Sequence, residues 1–240
     1  MNESTSDIEN PYWCFISYTH ADNREQGRDW ASWLHLTLET YEVPEDLVDK
    51  LNERNERIPE RIFPVFRDEE ELSTGNLAER IYEALRRTKV LIVICSPRVL
   101  KSPYVSEEIR YFKQHREGAA IHVVVIEGNP GAQRGEPACC FPDTLRYELD
   151  HAGQPDFSRN CDPLAANFRL DDQSQGWTTP EALRIALKKL GRHTENEIET
   201  AVADYRQRLE RSKLQLIAGV LGVPLGELSR RDKRYQLELA

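Results

Sequence analysis

The sequence predicts an α/β fold, a flavodoxin-like doubly wound five-stranded parallel sheet with a C-terminal helical extension. Three observations predict it. Apolar runs of strand length alternate with helix-period segments about five times between residues 12 and 190, and such alternation calls for parallel strands joined by crossover helices. The run KVLIVIC at 89–95 is apolar from Val90 to Cys95, as a central strand covered on both faces must be. The chain has 240 residues, 39% hydrophobic and 30% charged, enough for one domain with an appendage.

The elements follow in order. Residues 1–10, MNESTSDIEN, are polar and predict a flexible tail; they lack the basic and apolar regions of a signal peptide. YWCFISY at 12–18 reads as a buried strand, followed by the polar turn THADNREQG. Residues 28–41 place Trp30, Trp33, Leu34, Leu38 and Tyr41 on one helical face. The charged stretch 44–60 reads as a loop or a solvated helix. IFPVF at 62–66 is a second strand, and its Pro64 favours a sheet edge. After the polar loop RDEEELSTGN, residues 77–87 carry Leu77, Ile81 and Leu85 at helical spacing, and the strand at 89–95 follows. Val105, Ile109 and Phe112 mark the next helix, and IHVVVI at 121–126 a fourth strand. Residues 128–162 hold four of the twelve Gly, four of the thirteen Pro and three of the five Cys and are expected to be mainly irregular. AANFRL at 165–170 is a weaker fifth strand, and Pro180 opens a helix over 180–190. From 193 onward Ile198, Val202, Tyr205, Leu209 and Leu216 keep a heptad-like spacing that Ser212 interrupts. We divide the chain into a tail at 1–10, the α/β domain at 11–192, and a helical extension or connector to a further module at 193–240.

Composition narrows function. The net charge is −9, which argues against nucleic-acid binding, although residues 206–240 hold eight basic and four acidic residues and so carry +4. No apolar stretch reaches membrane-spanning length. Five cysteines without a signal peptide read as reduced cytoplasmic thiols, and Cys139, Cys140 and Cys161 lack zinc-site spacing. In a doubly wound sheet the ligand site lies beyond the carboxyl ends of the strands, so the loops that matter are 18–27, 67–76, 96–104 and 127–135. They contain no G-x-G-x-x-G, P-loop, G-x-S-x-G or H-E-x-x-H motif, and Thr19, His20, Cys95 and Ser96 stand where a phospho-acceptor receiver needs acidic residues.

What these loops do contain is FISYTHAD, FRDEEELSTGN, ICSPRVLKSPY and SEEI, in that order. Together they resemble a Toll/interleukin-1 receptor (TIR) domain of the bacterial kind over about residues 11–190. The second segment is similar to the family's BB loop, with Phe66, Asp68, Leu72 and Gly75 in its pattern. The last two are similar to a Ser-x-Trp…Glu-[Leu/Ile] stretch, here Ser102, Tyr104, Glu108 and Ile109. Many TIR domains are adaptors, and a large subset cleaves NAD+ at the nicotinamide–ribose bond. The resemblance implies Glu108 as the catalytic residue of that subset, with NAD+ as substrate and no cofactor. A carboxylate suits the chemistry, because departing nicotinamide leaves an oxocarbenium-like ribosyl cation that an anion stabilises.

Around Glu108, the candidate substrate-binding residues are Phe15, Ser17, Arg67, Asp68, Gly75, Ser102 and Tyr104. Tyr104 stands where NAD-cleaving relatives usually have Trp. Each has a plainer alternative: core packing for Phe15, a loop anchor for Tyr104, a surface charge for Arg67, a helix-start carboxylate for Glu108. His20 is a further ligand-contact candidate, with a solvated loop histidine as its alternative. The resemblance also implies assembly with other TIR domains, the BB loop of one copy completing the site of its neighbour. Repeated head-to-tail contacts of that kind generate filaments. It further implies an antiphage-defence effector in the cytoplasm, with a sensor partner or domain reached through the C-terminal extension. The alternatives are a non-enzymatic TIR–TIR adaptor and a nucleoside deoxyribosyltransferase-like enzyme, against which the RDEEELSTG loop speaks.

Overall fold

The computed structural model describes residues 12–67, 77–171 and 175–238. The expected tail at 1–10 and the loop positions Asp68, Leu72 and Gly75 lie outside the described residues. Five parallel strands form one sheet: β1 (Tyr12–Ser17), β2 (Val65–Arg67), β3 (Thr88–Cys95), β4 (Ala120–Val125) and β7 (Leu164–Asn167). Their order is β2-β1-β3-β4-β7, so the order in which parallel strands are added to the sheet reverses between β1 and β3. That reversal is the switch point at which open α/β sheets leave a crevice.

Helices cover both faces. On one lie α1 (Trp30–Glu39), α5 (Pro180–Leu190) and α6 (Glu195–Leu221), packed on Cys14, Ile16, Ile92, Ile94 and Val124. On the other lie α2 (Leu77–Arg86), α3 (Pro103–His115) and the single turn α4 (Asp143–Arg146), packed on Phe15, Leu91, Val93, Cys95 and Val123. Strand alternation sends odd and even positions to opposite layers. Because β3 is buried on both, it reads as one unbroken apolar run.

Two segments, 62–66 and 165–170, differ from expectation, and two others keep to it with added detail. The strand expected at 62–66 begins only at Val65, because Pro64 donates no backbone hydrogen bond; β2 is an edge strand. Residues 44–60 form turns that bury Leu47 and Ile58. Residues 128–162 contain α4 and an antiparallel ribbon, β5 (Tyr147–Leu149) with β6 (Pro155–Asn160). The expected strand at 165–170 lies at 164–167, and Phe168 instead drops into the core beside Trp30 and Trp33.

The segment from 193 onward forms α6 and α7 (Leu225–Glu238). A Thr194–Glu197 capping box starts α6, and Gly222, at φ 67°, ends it. Ile198, Val202, Tyr205, Leu209 and Leu216 all join the core shared with the sheet. Ser212, which breaks the apolar spacing, donates to the Asn167 carbonyl at 2.5 Å. Tyr205 bridges the Phe168 carbonyl (2.9 Å) and the Trp177 backbone. Thus α6 caps the open edge of β7. At the opposite edge Glu39 accepts from the Val65 N–H at 2.9 Å. Side chains thus meet backbone groups at both edge strands, which works against edge-to-edge pairing.

The far end of α6 is clasped by the turns between α1 and β2. Arg54 donates to the carbonyls of Gly219 (3.0 Å) and Val220 (2.6 Å), and Asn52 to that of Leu221 (2.9 Å). A guanidinium there satisfies orphan carbonyls and complements the negative end of the helix dipole.

Candidate active site

The site grows from the last residue of β1 and the second turn of α3. Ser102 caps α3 by accepting from the Val105 N–H at 3.4 Å, and Pro103 occupies the first turn. From that start the helical period turns Val105, Glu108, Ile109 and Phe112 toward the sheet. Three of the four are apolar; the fourth is a carboxylate. Glu108 Oε2 accepts a hydrogen bond of 2.5 Å from Ser17 Oγ, 91 positions away. Ser17 is 1% exposed and Glu108 9%. A buried carboxylate costs several kcal/mol unless it is hydrogen-bonded, and this contact contributes to holding Glu108 in a core-facing position.

Its neighbour Glu107 faces outward and pairs with Arg110 at 2.5 Å. From α2, Tyr82 stacks on Tyr111, with centroids 4.4 Å apart. Burial, and then the charge of Glu107, raise the Tyr82 phenol above its ordinary range. Sequence reasoning did not single out Tyr82.

The other predicted residues are distributed as follows. Phe15 is fully buried and stacks on Phe66 with ring centroids 5.0 Å apart. Ser102 is the α3 cap. Tyr104 is 78% exposed on the first turn of α3. Arg67 closes β2 and donates to Ser32 Oγ at 2.5 Å. His20 packs edge-on against Tyr18. Asp68 and Gly75 lie outside the described residues. Of the predicted set, the fold joins Ser17 to Glu108 directly.

A second polar cluster, also missed, sits at the carboxyl ends of β1, β3 and β4. The buried carboxylate of Asp22 accepts from Ser96 Oγ (2.7 Å) and Arg98 Nε (2.6 Å). Arg98 Nη2 and Arg28 Nη2 both donate to Glu127 Oε2, at 2.7 and 2.6 Å. Burial raises the Asp22 carboxyl above its ordinary range, against the opposing pull of Ser96 and Arg98. The signal available was position alone, since all of these residues but Arg28 fall in the loops singled out at 18–27, 96–104 and 127–135.

Residues 14–150, more than half of the chain, match the family model described as TIR domain. The chain belongs to the TIR-domain family. The matched range includes Ser17, Asp22, Ser96, Arg98 and Glu108, and stops short of β7, α5 and α6, so the TIR sheet is completed by residues outside it. Among solved structures this TIR chain is similar to the TIR domains of the activated Roq1 resistosome directly recognizing the pathogen effector XopQ. The identity is 12%, over 95% of this chain and 98% of that one, with a TM-score of 0.32. No curated protein matches the chain.

Proposed function

We propose that this TIR domain is an NAD+ glycohydrolase with Glu108 as its catalytic carboxylate. The observation that carries the reading is the buried Ser17–Glu108 hydrogen bond at the carboxyl end of β1. Nothing about core packing calls for a carboxylate in the buried stripe of α3, whereas stabilising a ribosyl cation does. In the reaction the bond between nicotinamide nitrogen and ribose C1′ breaks, and its electron pair leaves with neutral nicotinamide. Glu108 stabilises the cation that remains. Water then adds at C1′ and loses a proton, giving ADP-ribose; capture by a nucleophile within the same molecule gives a cyclic isomer instead. Ser17 holds the carboxylate in one orientation before substrate arrives, which is where preorganised sites gain rate.

Exposed Leu100 and Tyr104 flank the start of α3 and favour contact with a second copy, so activity is expected to rise with self-assembly. An NADase switched on by assembly suits an antiphage-defence effector in the cytoplasm. The same exposed pair also favours the second reading, a TIR–TIR adaptor without catalysis.

The test is nicotinamide release from NAD+ at high protein concentration with a crowding agent, for wild type and Glu108→Gln, with products separated by chromatography. Release by wild type and not by a folded Glu108→Gln supports the enzyme. No release by an assembled wild type transfers the function to the adaptor. Equal release by both removes Glu108 from the catalytic role.

A further inference from the structure

Two contacts bridge the same two stretches of chain. Ser17, the last residue of β1, reaches Glu108 on α3. Five residues later Asp22 reaches Ser96 and Arg98, which lie between β3 and α3. Residues 17–22 and 96–108 therefore form a closed frame, tied at both ends, with Glu108 at one tie and Asp22 at the other. Along the frame little is left loose. Ser96 Oγ also accepts from the Arg98 N–H at 3.1 Å, Val99 is fully buried, and the Ser102 N–H donates to the Val99 carbonyl at 3.0 Å just before the helix begins. Arg98 continues to Glu127, which also receives Arg28, so the segments after β1, β3 and β4 share one network.

Stability alone is a poor account of this arrangement. Buried ion pairs commonly contribute no more than well-packed apolar residues of the same volume, and what they do supply is a defined geometry. Resting on the glycohydrolase reading, we propose that Asp22, held by Ser96 and Arg98, is a positioning residue that sets the start of α3 and through it the placement of Glu108. Asp22 acts through the frame and does not touch substrate. Arg98 belongs to the same device because its fork grips Asp22 and Glu127 at once, which a lysine ammonium does not reproduce.

The test compares wild type, Asp22→Asn, Arg98→Lys and the double variant at one protein concentration. Two readouts are taken: steady-state NAD+ cleavage, and amide hydrogen exchange across the folded chain. In each single variant kcat is expected to fall about tenfold to a hundredfold with KM changed less than about threefold, the signature of a displaced catalytic group. The double variant is expected to be no slower than the slower single one, because both break one device. Exchange is expected to quicken at residues 99–105 and to hold steady in β3 and α6. Wild-type kcat in a folded Asp22→Asn, or rate losses that multiply in the double variant, would overturn the proposal. If wild type cleaves no NAD+, the glycohydrolase reading fails, and exchange alone decides: selective loss of protection at 99–105 in Asp22→Asn supports the frame, and unchanged protection there overturns it.

Discussion

Ser17 and Glu108 are joined by a buried hydrogen bond whose loss weighs differently on the two partners. Removing the hydroxyl leaves a buried carboxylate without one of its donors, while removing the carboxylate leaves a small hydroxyl that packs acceptably. Ser17→Ala is therefore expected to cost about 1–3 kcal/mol of folding stability in urea titration, and Glu108→Gln considerably less. On the glycohydrolase reading, Ser17→Ala also lowers kcat about tenfold. A Ser17→Ala protein of unchanged stability would show that the carboxylate is held by other groups. Glu108 was legible in the sequence because it falls in a motif whose spacing is short and local. Asp22 was not, because one acid in a polar loop looks like any solvated acid until the fold brings Ser96, 74 positions away, to within 2.7 Å. Asp68 and Gly75 were singled out on the same local grounds as Glu108, and they lie outside the described residues.

At the scale of elements, the strands and helices with a single dominant period could be read directly. β3 is buried on both faces, and α3 has one apolar stripe. The ribbon of β5 and β6 escaped because its residues are largely exposed and carry no apolar alternation. The register of α6 was visible, but its purpose was not. Ser212 looks like a flaw in a heptad and is in fact the group that satisfies the β7 edge. Two substitutions test how closely α6 is fitted. Tyr205→Phe removes the hydroxyl shared by Phe168 and Trp177 and should cost about 1–3 kcal/mol. Gly219→Ala is the sharper case. A Cβ there would lie 2.7 Å from the His122 ring, so overpacking of about 1–3 kcal/mol opposes a gain in helix propensity of about 1 kcal/mol. Net destabilisation in chemical denaturation is expected; a more stable Gly219→Ala would show that the ring yields.

For the whole molecule, acid is the condition that should loosen α6 from the sheet. His122 lies on β4 beneath Gly219, and burial, aided by the charge of Arg54, lowers its pKa from 6.5 to about 4. In the unfolded chain it takes up a proton near pH 6.5, and in the fold only near pH 4. The unfolded state therefore binds more protons across that window, and stability is lost as pH falls through it, by about 2–3 kcal/mol from this group. Denaturation midpoints measured from pH 7 to 4 should fall, and His122→Leu should flatten the slope. An unchanged slope in that variant would assign the loss to other groups.

The clasp that Arg54 and Asn52 place on the end of α6 has a practical corollary for anyone cutting the gene. A fragment stopping at 192, just before α6, would strip the lid from Trp30, Ile92 and Phe168, and one stopping at 150, where the family match ends, would lose β7 and Phe168 as well. Either would also leave the turns at 49–58 gripping nothing. Such fragments are expected to be insoluble, while one that keeps α7 through Leu228, which is fully buried in the same core, should express as a folded body. The shortest useful piece of this chain is set by where its last core helix is fastened and not by where its family signature fades.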